Sequence, residues 1–197
     1  MKDNVKSISF IDEYSTKLQN ALNQIDQDQV LELAENLKSC WFEQRRVWIC
    51  GNGGSAANAI HLANDFLYGV AKENGLGLKV ASLSANPAVV TCLANDIGYG
   101  SVYAMQLAVQ AQAGDILIVL SGSGNSANII KVLEQAKKQD IKSYAILGFT
   151  GGKAKTLADV AIHFQIDDMQ ISEDLQIIIG HILMQWLYQN KPKRGLE

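Results

Sequence analysis

The chain has 197 residues, a formal net charge of -3 and 48% apolar residues. This fits one globular domain over 1–197, with 1–44 as a helical extension and 45–190 as an α/β core. It shows no basic stripe for a nucleic-acid backbone, no apolar run of about 18 residues to span a membrane, and no signal-peptide core in residues 1–9. Cys40, Cys50 and Cys92 are scattered and odd in number, without metal-like spacing. They read as small apolar residues of a protein kept in a reducing cytoplasm.

Residues 8–22 and 30–41 carry apolar residues at helical spacing, with Asp26 and Asp28 in the break where they can cap the second helix. Their apolar faces suit packing on the core or on a second copy of the chain. Val47-Trp48-Ile49-Cys50 reads as a strand that runs into the loop Gly51-Asn52-Gly53-Gly54-Ser55, and residues 56–67 return to helical spacing. Residues 68–78, with three glycines, read as a flexible connection. A second strand is expected at 79–83, a helix at 88–94 after the turn Asn86-Pro87, a polar interruption at 95–100 and another helix at 102–112.

The most telling stretch is residues 116–126, I-L-I-V-L-S-G-S-G-N-S. A short continuous apolar run is the pattern of a strand buried on both faces. It enters a Ser/Gly loop, and residues 127–138 have helical spacing. Unpaired backbone N–H groups at a helix start, close approach through Gly122 and Gly124, and the hydroxyls of Ser121, Ser123 and Ser126 together make an anion site. No Lys follows as in the Walker loop, so the neutral donors suit a phosphate monoester on a small metabolite better than a triphosphate with its metal. A polar turn without a ligand fits the same residues. A fourth strand is expected at 143–147, a glycine-rich turn at 148–152, a fifth strand at 161–166 and a long apolar helix at 171–189. Strands alternating with helices argue a parallel sheet covered on both faces, with ligands at the strands' carboxyl ends.

His61 and Asp65 lie four residues apart and share one helical face. Asp65 sits among Leu62, Phe66 and Leu67, where a carboxylate suits a general base; an exposed aspartate fits equally. Glu173 and His181 are separated on the last helix by roughly 80° around the axis, so one side can hold both. His181 also fits a core histidine. Two histidines and two carboxylates suit a borderline metal such as zinc. His163, in a strand, reads as structural, and Asp96 as either a sugar ligand or a turn residue.

Taken in order, Gly51-Asn52-Gly53-Gly54-Ser55, His61, Ala94-Asn95-Asp96 with Gly98, Ser121-Gly122-Ser123-Gly124-Asn125-Ser126 and Gly180-His181-Ile182-Leu183 resemble the sugar isomerase (SIS) domain of bacterial phosphoheptose isomerases. The resemblance covers residues 19–189. It implies a three-layer, flavodoxin-like, five-stranded parallel sheet and a homotetramer with active sites between subunits. The implied reaction converts sedoheptulose 7-phosphate to D-glycero-D-manno-heptose 7-phosphate. Ser121, Gly122, Ser123 and Ser126 would hold the phosphate, and Asn52, Gly53, Ser55, Asp96 and Glu173 would contact the substrate. Asp65 stands where the family has the glutamate that moves the proton between C1 and C2, and His181 stands at its acid/base partner. In some members zinc is held through the positions of His61, Asp65, Glu173 and His181, one per chain. The chain departs from the family pattern at Asp65, at Glu173-Asp174 for Gln-Glu, at Gln176 for a histidine and at Gly122 for a threonine. A relative of these isomerases binds the replication initiator DnaA as a regulator and lacks the histidine at the position of His181. A non-catalytic phosphosugar-binding or DnaA-binding protein is therefore the alternative.

Overall fold

The computed structural model describes residues 2–73 and 76–192, with side chains from residue 9 onward. Two helices lead the chain, α1 (Lys2–Leu22) and α2 (Gln27–Phe42). Asp26 caps α2 by accepting from the Asp28 N–H at 3.0 Å, as its place in the sequence suggests. The core then alternates β1 (Arg46–Gly51), α3 (Gly54–Leu67), β2 (Lys79–Ser82), α4 (Pro87–Ile97), α5 (Val102–Gln110), β3 (Ile116–Ser121), α6 (Ala127–Lys138), β4 (Lys142–Leu147), α7 (Ala154–Leu157), β5 (Val160–His163) and α8 (Met169–Gln189).

The five strands form one parallel sheet in the order β2-β1-β3-β4-β5, the flavodoxin-like order. Successive side chains of a strand point to opposite faces, and the core divides accordingly. Val47, Ile49, Ile116, Ile118 and Leu120 join α2, α3 and α8 on one face. Trp48, Cys50, Leu117 and Val119 join α5 and α6 on the other. All six residues of β3 are buried, as its unbroken apolar run requires. Buried Asp115 ties the starts of β1 and β3 together: it accepts from Arg46 N at 2.9 Å, Trp48 Nε1 at 3.0 Å and Gln112 N at 3.1 Å.

Four local expectations change. The stretch 68–78 is better anchored than its glycines imply: Gly69–Ala71 is a buried 3-10 turn, and Trp41 Nε1 donates to Leu76 O at 2.8 Å. Residues 74 and 75 of that stretch lie outside the described residues. Residues 95–97 continue α4, because Asn86 caps it and Pro87 opens it. A 3-10 turn, Tyr99–Ser101, follows. β5 ends at His163 rather than 166, and the four-residue α7 is too short to show a period.

Candidate active site

Order 2-1-3 places β1 and β3 side by side with their helices leaving toward opposite faces, so a crevice opens beyond their carboxyl ends. Asn52 of the loop after β1 and Asn128 in the first turn of α6 are joined there through reciprocal amide bonds of 2.9 and 2.8 Å. Asn52 Oδ1 also accepts from Tyr99 OH at 2.9 Å and Tyr103 OH at 3.2 Å. Asn52 thus keeps one Nδ2 proton for a ligand. Asn128, Tyr99 and Tyr103 were not singled out from the sequence, since their role depends on a partner about half a domain away.

In the loop after β3, Ser121 Oγ accepts from Gly124 N at 3.0 Å and Ser123 Oγ from Asn125 N at 3.3 Å. Both hydroxyls use a lone pair on the loop, which leaves their protons to donate outward. Ser126 is the N-cap of α6 and makes no side-chain capping bond. Gly124, at φ 63°, takes the left-handed turn and lies against Gly151, where a side chain would collide. In the loop after β1, Gly53 is the exposed N-cap of α3 and Ser55 is buried in its first turn.

The helices α3 and α8 carry the reactive side chains, and close approach brings them together. A side chain at Gly180 would strike Leu62, one at Gly69 would stand 2.9 Å from Met184 Cε, and one at Gly54 would strike the Glu173 carboxylate. His61 Nε2 and His181 Nε2 lie 3.0 Å apart, although 120 residues separate them in sequence. Asp65 Oδ2 is 3.3 Å from His61 Nε2 and 3.4 Å from His181 Nε2. The Asp65 side chain is 16% exposed and the imidazoles 48% and 44%, so the carboxylate lies under two rings that face outward. Among the described residues Asp65 Oδ1 receives only a long 3.5 Å bond from Asn64.

His61, Asp65 and His181 offer three ligand atoms within 4.8 Å of one another. Zinc–nitrogen bonds of about 2.0–2.1 Å imply tetrahedral edges of about 3.3–3.4 Å, close to the separations found. Two imidazole nitrogens at 3.0 Å also cannot both carry protons toward each other. The donor set therefore fits a divalent cation, with an open fourth position. Glu173 is outside this group of three. Its carboxylate lies over Gly54 at the amino end of α3, where the helix dipole favours an anion. Its backbone carbonyl accepts from Asn58 Nδ2 at 2.9 Å, and Asn58 also donates to Gln176 at 3.1 Å. Asp96 bonds only with Cys92 and Asn95 of its own helix among the described contacts.

The SIS domain family model matches residues 9–148. A phosphoheptose isomerase of a Nitratiruptor species is 40% identical over 140 residues, 71% of this chain and 74% of the relative. One of Helicobacter pylori is 39% identical over 166 residues, 84% and 82%. The chain belongs to the phosphoheptose isomerase family of SIS domains. Solved structures agree. The phosphoheptose isomerase GmhA from Neisseria gonorrhoeae has a TM-score of 0.85 at 26% identity, with 94% of this chain and 98% of that one covered. A phosphoheptose isomerase from Francisella tularensis has a TM-score of 0.87 at 25% identity, with 96% and 100% covered. Membership of this SIS family agrees with the sheet order, the two glycine loops and the pairing of α3 with α8. Among the described residues of this SIS domain no helix is long and apolar enough to cross a membrane.

Proposed function

We propose that this chain is an isomerase that converts sedoheptulose 7-phosphate to D-glycero-D-manno-heptose 7-phosphate through an enediol. The observation that carries the reading is the convergence of Asp65 on α3 and His181 on α8 at 3.4 Å. The loop from Ser121 to Ser126 holds the phosphate, and Asn52, Gly53, Ser55, Asp96 and Glu173 line the sugar. Fixing the remote phosphate sets the register of C1 and C2.

Asp65 removes the C1 proton of the ketose while His181 protonates the C2 carbonyl oxygen, giving the enediol. Asp65 then returns the proton to C2, and the O1 proton leaves to His181 as the aldehyde forms. The two oxygens of Asp65 divide the work: Oδ2 faces the imidazoles, and Oδ1 is the one free to meet a C–H. His61 holds Asp65 from the other side. His61, Asp65 and His181, without Glu173, would hold one zinc ion per chain; when bound, it would supply Lewis-acid stabilisation of developing charge on the substrate oxygens.

A homotetramer with sites between subunits belongs to this reading. Its support is the apolar surface left on helices beside the site. No residue of α4 is buried, and Phe10, Ile11, Ile97 and Ile182 are exposed. A cytoplasmic location is supported by three free cysteines, two of them buried.

The test is turnover. Purified protein converts sedoheptulose 7-phosphate to an aldose, and Asp65→Asn or His181→Ala abolishes the conversion. Binding of the sugar phosphate without turnover by the parent protein would overturn the enzymatic reading.

A further inference from the structure

We propose that His163 and Lys155 are positioning residues that fix the phosphate loop from behind. This rests on reading the Ser121 to Ser126 loop as the phosphate site. That loop does not stand alone. Ala154 N donates to Gly124 O at 2.9 Å, and Lys153 N donates to Asn125 Oδ1 at 3.0 Å. Its shape therefore depends on the segment after β4, residues 148–154.

Within that segment Phe149 has φ 43°, a left-handed backbone that a bulky residue rarely adopts. Two hydrogen bonds hold it there. Phe149 N donates to Ile166 O at 3.0 Å, and the Phe149 carbonyl pairs with His163 Nε2 at 3.0 Å. The ring of Phe149 then covers Gly122 of the phosphate loop: a Cβ at Gly122 would stand 3.3 Å from Phe149 Cε2 and 2.8 Å from Met169 Sδ. His163 is the last residue of β5, in register with Leu147, which leads directly into the segment.

The tautomer follows from the neighbours. Lys155 Nζ lies 3.0 Å from His163 Nδ1. An ammonium has only donors, so Nδ1 accepts and the proton sits on Nε2, the nitrogen that meets the Phe149 carbonyl. Lys155 thus sets the tautomer, His163 holds the strained carbonyl, and Phe149 presses on the loop that grips the phosphate. Neither side chain touches the substrate in this arrangement. The effect expected on removing either one is looser grip on phosphate without loss of chemistry.

The experiment measures sedoheptulose 7-phosphate turnover, with inorganic phosphate as competitor, in the parent, His163→Leu, His163→Gln and Lys155→Met. His163→Leu raises KM and the phosphate Ki by about tenfold, the scale of one lost hydrogen bond to a strained site, and leaves kcat within about twofold. His163→Gln, whose amide can donate to the Phe149 carbonyl, recovers most of the affinity. Exposed Lys155→Met raises both constants by about threefold. Parent values in His163→Leu and Lys155→Met overturn the proposal. So does a loss shared equally by kcat, KM and thermal stability that His163→Gln fails to rescue, since that is a merely structural role. A parent protein that is inhibited by neither inorganic phosphate nor any sugar phosphate overturns the reading of the loop itself.

Discussion

The two halves of the site are built in different ways. The half read as holding phosphate is one contiguous loop, shaped by glycines, backbone bonds and hydroxyls that brace their own chain. The half read as reactive consists of side chains from α3 and α8, whose order depends on how closely two helices pack. They also lie on opposite faces of the sheet, α3 and α8 with one core cluster and α6 with the other. A loop of the first kind is held by hydrogen bonds within its own stretch and from the segment after β4 that backs it. A cluster of the second kind can be tuned one side chain at a time while the anchor stays fixed.

That contrast breaks most sharply at Asp65. Asp65→Asn removes the base, and kcat falls by about 10²- to 10⁴-fold. Inhibition by inorganic phosphate stays at the parent level, because no atom of the β3 loop changes. A matching rise in the phosphate Ki would show that the halves are one unit.

The converse change is Gly124→Ala. It forces an alanine into a left-handed turn with φ 63° and against Gly151, at a cost of about 1–3 kcal/mol. Phosphate inhibition weakens, while zinc still raises the thermal midpoint. A readout by calorimetry with and without zinc separates the two.

Gly180→Ala tests the other packing dependence. Its methyl would meet Leu62, beside His61 on α3, so the two imidazoles move apart at about 1–3 kcal/mol of overpacking. If the proposed site binds zinc, a hundredfold excess over its Kd would stabilise the parent by about 2.7 kcal/mol. The variant loses most of that shift and keeps its phosphate Ki. An undiminished zinc shift would place the metal somewhere other than the His61, Asp65 and His181 group.

The same division explains what could be read from the chain alone. The β3 loop was legible because its strand, glycines, serines and helix are adjacent in sequence. The pairing of His61 with Asp65 was legible because four residues is one helical turn. That His181 meets them was suggested by a donor set suited to zinc and by the resemblance to a family, but spacing could not derive it, since the contact depends on Gly180, Gly69 and Gly54 letting two helices close. Glu173 shows the limit of helical geometry: it shares a side of α8 with His181, yet its carboxylate ends at Gly54, outside the group of three. Short elements such as α7 carry too few residues for a period, and the backbone after Gly69 was steadied by a tryptophan far back in α2.

The finest test is the joint between the halves. Asn52 follows β1 on the way to α3, Asn128 lies in α6, and their two amides close a reciprocal pair 76 residues apart. Asn128 is 1% exposed. Asn128→Ala deletes both bonds and leaves the Asn52 Nδ2 without that acceptor, but Asn52 Oδ1 keeps its bonds from Tyr99 and Tyr103. The expected loss is about 1–2 kcal/mol of stability, less than for an amide left wholly unpaired. Its kinetic signature is what sharpens the comparison. If the joint aligns anchor and base, kcat for sedoheptulose 7-phosphate falls severalfold while both the phosphate Ki and the zinc shift hold, because each half is intact and only their separation has changed. A variant with parent kcat would mean that the β1 and β3 strands alone fix the distance between phosphate and carboxylate, and the amide pair would then be a fastening of the fold with no share in the register of the substrate.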